Sequence, residues 1–165
     1  MHIRLIIVGD QGPIWVQTVF KSYIQRLPPQ WGFKCKIIKG EKQTKNRNSK
    51  SIIDLEGKKI LAEVKKTEEI IILDESGAEF TSLELSEKLN NWQLSGRNLC
   101  FIIGGPNGLS EACFKRANFC WSLSKLTLPH IFVRIIFIEQ LYRIYTLNSG
   151  HPIIGIDKYN PCESK

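Results

Sequence analysis

The stretch with the most chemical content carries few ionisable groups. Cys100-Phe-Ile-Ile-Gly-Gly-Pro-Asn-Gly-Leu-Ser-Glu111 is an apolar run that ends in a glycine turn. A short apolar run stopped by Gly and Pro reads as a buried parallel strand entering a loop. Gly104 and Gly105 have no Cβ, so the backbone there is free to approach a ligand closely or to take positive φ. Asn107-Gly108 makes a second tight turn, and Ser110 is placed to cap a helix starting near Glu111. The turn is not a phosphate loop, because no Gly-Lys-Ser/Thr follows, and the Gly-x-Gly-x-x-Gly dinucleotide spacing is absent. A second stretch, Trp121-Ser-Leu-Ser-Lys-Leu-Thr-Leu-Pro-His130, interleaves hydroxyls with leucines and stops at a proline. Two such loops side by side would enclose a small molecule with backbone N–H and C=O groups. Taken alone, the glycine turn is equally well a plain strand-to-helix connector.

The elements that must position these loops alternate. Residues 3–8 form a β-branched run ending at Gly9, and residues 14–27 repeat apolar side chains at helical spacing until Pro28-Pro29. Strands are expected at 33–38, 69–74, 99–103 and 119–123, the one at 69–74, third in the chain, ending in a turn at Glu75-Ser76-Gly77. Helices are expected at 51–66, with Gly57 weakening its middle, from a capping box at Thr81 and Glu84 to a stop at Gly96, at 111–118, and at 131–147. Strands alternating with helices imply a mostly parallel α/β sheet with its ligand site at the carboxyl ends of the central strands. The last helix is apolar nearly all round, so it needs cover on two sides, one from its own sheet and one from a second copy of the chain. Glu139 and Arg143, spaced i, i+4, are set to pair.

The 165 residues fit one domain with a sizeable core. A formal net charge of +7 favours a polyanionic partner such as RNA or an anionic surface. The basic stretch from Lys39 to Lys50 suits RNA phosphates, and equally a solvated loop. The five cysteines form no Cys-x-x-Cys pair and have no histidines at ligand spacing, which points to a reduced, cytoplasmic protein with no metal. No apolar run is long enough to cross a bilayer, so no membrane partner is expected.

Gly9, Trp15-Val-Gln-Thr18, Leu94-Ser-Gly-Arg-Asn98, Ile102 through Ser110, Ser122 through His130, Val133-Arg134, Glu139-Gln-Leu-Tyr-Arg143 and His151-Pro152 together resemble the ribosomal RNA large subunit methyltransferase H family. The similarity runs from residue 1 to 152 in one register. It implies a SPOUT-type α/β fold, with helices on both faces of a mostly parallel sheet, a C-terminal trefoil knot and a homodimer. The organisation it implies is one methyltransferase domain over residues 1–152 and a divergent tail over 153–165. It implies methyl transfer from S-adenosyl-L-methionine to N3 of a pseudouridine in helix 69 of 23S ribosomal RNA, on the assembled ribosome. By position, the cofactor residues are Leu73, Gly104, Gly105, Leu123, Ser124, Lys125, Leu126, Thr127 and Leu128. Arg143, His130 and His151 are the candidates for catalysis, because a cation beside the developing imide anion assists loss of the N3 proton. The family usually ends His-Pro-Tyr-His followed by a basic residue, whereas Ile153-Ile154 follow Pro152 here. That departure keeps a second reading open, a non-catalytic ribosome- or RNA-binding protein that retains the knotted fold.

Overall fold

A computed structural model of the chain describes residues 1–44 and 48–150. His151, the tail after it and the centre of the basic loop lie outside the described residues. Five strands appear in the described part: β1 (Ile3–Val8), β2 (Lys34–Ile38), β3 (Glu68–Ala78), β4 (Asn98–Ile103) and β5 (Phe119–Trp121). They form one sheet in the order β2-β1-β4-β3-β5, and every pair is parallel. Five helices join them: α1 (Ile14–Ile24), α2 (Ser49–Glu63), α3 (Ser82–Ser95), α4 (Glu111–Arg116) and α5 (His130–Asn148).

Side-chain alternation along the strands divides the core in two. Ile3, Leu5, Ile7, Ile71, Leu73, Leu99, Phe101 and Ile103 point to one face, where α1, α3 and α5 cover them. Ile6, Val8, Ile70, Ile72, Cys100 and Ile102 point to the other, under α2 and α4. Both faces are buried, which is why these strands read as continuous apolar runs rather than alternating ones. Phe101, Trp121 and Phe137 meet ring to ring at the centre of the first face, at centroid distances of 4.9–6.3 Å. α5 lies against α1 and α3, and Phe137, Ile138, Leu141 and Ile144 are its core residues.

Three expectations are corrected. The third strand does not end at Asp74. It continues to Ala78, and both Leu73 and Ala78 pair with Trp121, so residues 74–77 bulge out between them. A Cβ on Gly77 would come within 2.7 Å of the Cys120 and Trp121 carbonyl carbons, so this position has no room for a side chain. β5 is shorter than residues 119–123, because after Trp121 the chain turns away, with the Ser122 N–H donating to the Ala78 carbonyl at 2.9 Å. α1 ends at Ile24, and Arg26 and Leu27 tighten into i→i−3 bonds ahead of Pro28, where the helix cannot continue.

The capping box stands as expected: Thr81 Oγ1 accepts from the Glu84 N–H, and the Glu84 carboxylate accepts from the Thr81 N–H at 2.7 Å. Gly57 has a reason that helix propensity does not supply. A Cβ there would lie 2.7 Å from Ser110 Cβ and closer still to Ser110 Oγ, so the glycine lets the start of α4 dock on α2.

Candidate active site

The register aligns Ile7 and Leu73 with Ile103, so β1 and β4 end level with the point where the β3 bulge begins. Just beyond those ends lies a cavity of about 530 Å³. Its walls come from three segments. The first is Leu73 with Asp74 and Glu75 of the β3 bulge, the second is Ile103 through Leu109, and the third is Leu123, Ser124, Leu126, Thr127 and Leu128, with His130 and Val133 at the start of α5.

The glycine turn folds back on itself. The Gly108 N–H donates to the Gly105 carbonyl at 2.9 Å, and Gly108 takes φ +88°. Gly104 and Gly105 are glycines for lack of space rather than for unusual dihedrals. A Cβ on Gly104 would lie 2.8 Å from Leu109 Cγ. A Cβ on Gly105 would lie 2.9 Å from Glu56 Oε2 and 3.2 Å from Val8 Cγ1. Glu56 is therefore the floor beneath the turn. It is buried, its Oε1 accepts from the Glu41 N–H at 2.8 Å, and its Oε2 has no hydrogen-bond partner among the described residues.

The second loop shapes itself with its hydroxyls. Ser122 Oγ donates to the Ser124 carbonyl at 2.9 Å, Ser124 Oγ accepts from the Leu126 N–H at 3.0 Å, and Thr127 Oγ1 donates to Glu75 at 3.1 Å. That is the physical sense of hydroxyls interleaved with leucines: the polar groups close turns and the apolar ones are left to line the wall.

His130 joins the glycine turn to α5. Its Nε2 lies 2.5 Å from the Gly104 carbonyl and its Nδ1 lies 3.3 Å from Arg134 Nη2. A carbonyl only accepts and a guanidinium only donates, so the ring is neutral, with its proton on Nε2. Burial pushes His130 below its ordinary value of 6.5 and the Arg134 charge adds to that, against the pull of the Gly104 carbonyl and Asp10. Arg134 is itself buried and donates to the Asp10 carbonyl at 3.0 Å. Cys100, Cys113 and Cys120 are no nucleophiles here: burial raises all three, Cys100 to about 12.

Of the expected cofactor residues, Leu73, Gly104, Gly105, Leu123, Ser124, Leu126, Thr127 and Leu128 all line this one cavity. Lys125 does not; its side chain is largely exposed and lies 3.7 Å from Glu79. Of the catalytic candidates, His130 lines the cavity and Arg143 pairs with Glu139. Arg143 stands thirteen residues further along α5, about 20 Å at the helical rise. Asp74, Glu75 and Val133 were missed, as was the support from Arg134 and Glu56. The acidic pair directly after a strand, and one arginine in an apolar helix, were the signals available.

The fold is an α/β protein with a cavity of small-molecule size at the carboxyl edge of a parallel sheet, and the family model "Predicted SPOUT methyltransferase" matches residues 1–153. Two curated relatives extend this. Ribosomal RNA large subunit methyltransferase H of Thioalkalivibrio sulfidiphilus is 43% identical over 92% of this chain and 97% of the relative. Its counterpart in Methylococcus capsulatus is 40% identical over 92% of this chain and 98% of the relative. The chain belongs to the ribosomal RNA large subunit methyltransferase H family of SPOUT methyltransferases. A solved SpoU methyltransferase, AviRb of Streptomyces viridochromogenes in complex with AdoMet, matches more loosely, with TM-score 0.44 and 10% identity over 86% of this chain and 57% of that one.

The cofactor of a SPOUT methyltransferase is S-adenosylmethionine, and the cavity suits it. Its volume falls in the range of about 300–1,000 Å³ usual for small-molecule sites. Leucines offer apolar walls to a planar base, the glycine turn offers backbone, and Asp74 and Glu75 bring carboxylates toward hydroxyls or positive charge. Among the described residues no group of three or more His, Cys, Asp or Glu is placed to hold a metal ion, and no helix is long and apolar enough to cross a membrane.

Proposed function

We propose that this chain methylates N3 of a pseudouridine in helix 69 of 23S ribosomal RNA, on the assembled ribosome. The observation that carries the reading is the convergence of eight expected cofactor residues, from three separate segments, on one cavity. S-adenosylmethionine brings an electrophilic methyl group, so the protein's share of the work is placement and charge. The glycine turn and the 122–128 loop hold the donor mainly through backbone. Loss of the N3 proton leaves an imide anion, and Arg143 and His151 are the cations proposed to stabilise it.

Arg143 lies too far along α5 to reach the cavity of its own chain, so the reading includes a homodimer in which a second copy supplies it. Exposed Ile14, Trp15 and Phe132 support such an interface, with the Trp15 and Phe132 rings 6.0 Å apart at the starts of α1 and α5. Contacts to RNA phosphates are assigned to Lys39, Lys42 and Lys50, continuing along the exposed Lys34 and Lys36 of edge strand β2. The C-terminal trefoil knot belongs to the same proposal, as does a cytoplasmic location.

The altered sequence after Pro152 favours a second reading, a ribosome-binding protein that keeps the fold without catalysis. The test is nucleoside mass analysis of 23S RNA from cells lacking the gene. The methylated pseudouridine is expected to vanish and to return when the chain is restored. Its persistence without the gene contradicts the first reading, and donor binding without methylation supports the second.

A further inference from the structure

The mechanism proposed above does not use Arg134, although it is the most deeply buried cation of α5. It is 3% exposed, and its Nε has no hydrogen-bond partner among the described residues. Desolvating a guanidinium is costly unless its hydrogen bonds are well placed. Its two bonds are specific: one to the backbone carbonyl of Asp10, after β1, and one to His130 Nδ1. His130 in turn donates to the carbonyl of Gly104, after β4, on the cavity wall. The three groups form a line from the β1–α1 loop, through α5, to the glycine turn. Gly9 crosses beside it, and a Cβ there would lie 3.7 Å from His130 Cε1 and 3.8 Å from Arg134 Nη2.

The geometry points to Arg134 as a positioning residue for the methyl-donor site, acting through His130 to aim the Gly104 backbone. This rests on the donor-site reading above and gives the histidine a role other than proton handling. With both ring nitrogens engaged inside the chain, His130 offers no lone pair to an RNA base. Because only an acceptor can face the Arg134 guanidinium, His130 Nδ1 carries no proton, and the ring is held in the one tautomer that donates from Nε2 to Gly104. The turn's carbonyl is thereby fixed, and the amides that follow it are presented to the cavity.

The test is calorimetric titration of S-adenosylmethionine into the full-length chain and three variants, with melting curves alongside. Arg134→Met and His130→Ala are each expected to weaken binding roughly ten-fold, the scale of one lost hydrogen bond. The double variant is expected to be no weaker than either single one, because both break the same line. His130→Gln, which keeps an N–H toward Gly104, is expected to recover most of the affinity whatever its melting temperature. Additive losses, unchanged affinity in both single variants, or no recovery with glutamine would each overturn the inference. A wild-type chain that binds while the variants keep its affinity sinks this inference alone. A wild-type chain that binds no donor sinks the site reading along with it.

Discussion

His130 faces an acceptor on one side and a cation on the other, and this fixes how it responds to acid. Burial is the main reason the folded chain holds it below 6.5, and protonation would also put an N–H against the Arg134 guanidinium. Asp10 is the charge that opposes this. The unfolded chain takes up the proton first as pH falls, so His130 contributes stability above 6.5 that is lost as pH drops toward and through its lowered value. Melting temperature is expected to fall across that window in the wild type, and less steeply in His130→Gln. Gly105 makes a second prediction at this scale. Adding a methyl group pushes against Glu56 Oε2 and Val8, so Gly105→Ala is expected to weaken donor binding by ten-fold or more, read by calorimetry. Arg143→Ala is expected to lower kcat by roughly 10²–10³ with donor affinity unchanged, since it serves the developing charge and not the donor. Residue identities in the two loops were legible because glycines and a proline-terminated leucine run are local signals. Arg134 was visible only within the Val133-Arg134 pair of the family resemblance, because its meaning lies in residues 4 and 124 positions away.

Among the elements, the helix starts and the central strands were the most legible, since caps and apolar runs are written locally. The capping box of α3 is one case, and its removal offers a control. Thr81→Ala is expected to cost about 1 kcal/mol of stability without changing donor affinity, as measured by denaturant unfolding and calorimetry. The β3 bulge was not legible. Glu75-Ser76-Gly77 has turn chemistry, and only the long-range pairing of Ala78 with Trp121 carries the strand past it. That pairing matters to function, because the bulge it creates puts Asp74 and Glu75 on the cavity wall. Gly57 was misjudged for the same reason. As a helix position it looks weak by about 1 kcal/mol relative to alanine. In the fold, Gly57→Ala is expected to destabilise by about 1–3 kcal/mol, because the new methyl group meets Ser110, and a chemical melt reads the sign directly.

At the scale of the whole molecule, the sheet brings the ends of β1 and β4 and the β3 bulge to one edge and leaves the starts of α1 and α5 with exposed aromatic rings. The all-apolar reading of α5 anticipated cover from two sides. Within the chain, α1 and α3 supply part of that cover, and Phe132 stays 45% exposed. Replacing Trp15 and Phe132 together with serine is expected to shift the chain from dimer to monomer in sedimentation equilibrium and to abolish methyl transfer while donor binding is retained. The most direct measurement of the central claim is transfer of labelled methyl from S-adenosylmethionine to ribosomes that lack the modification. The account predicts label confined to helix 69 with the wild-type chain, and a sharp loss with Gly105→Ala at limiting donor. Full labelling by Gly105→Ala under those conditions, or label elsewhere in the RNA, would contradict it.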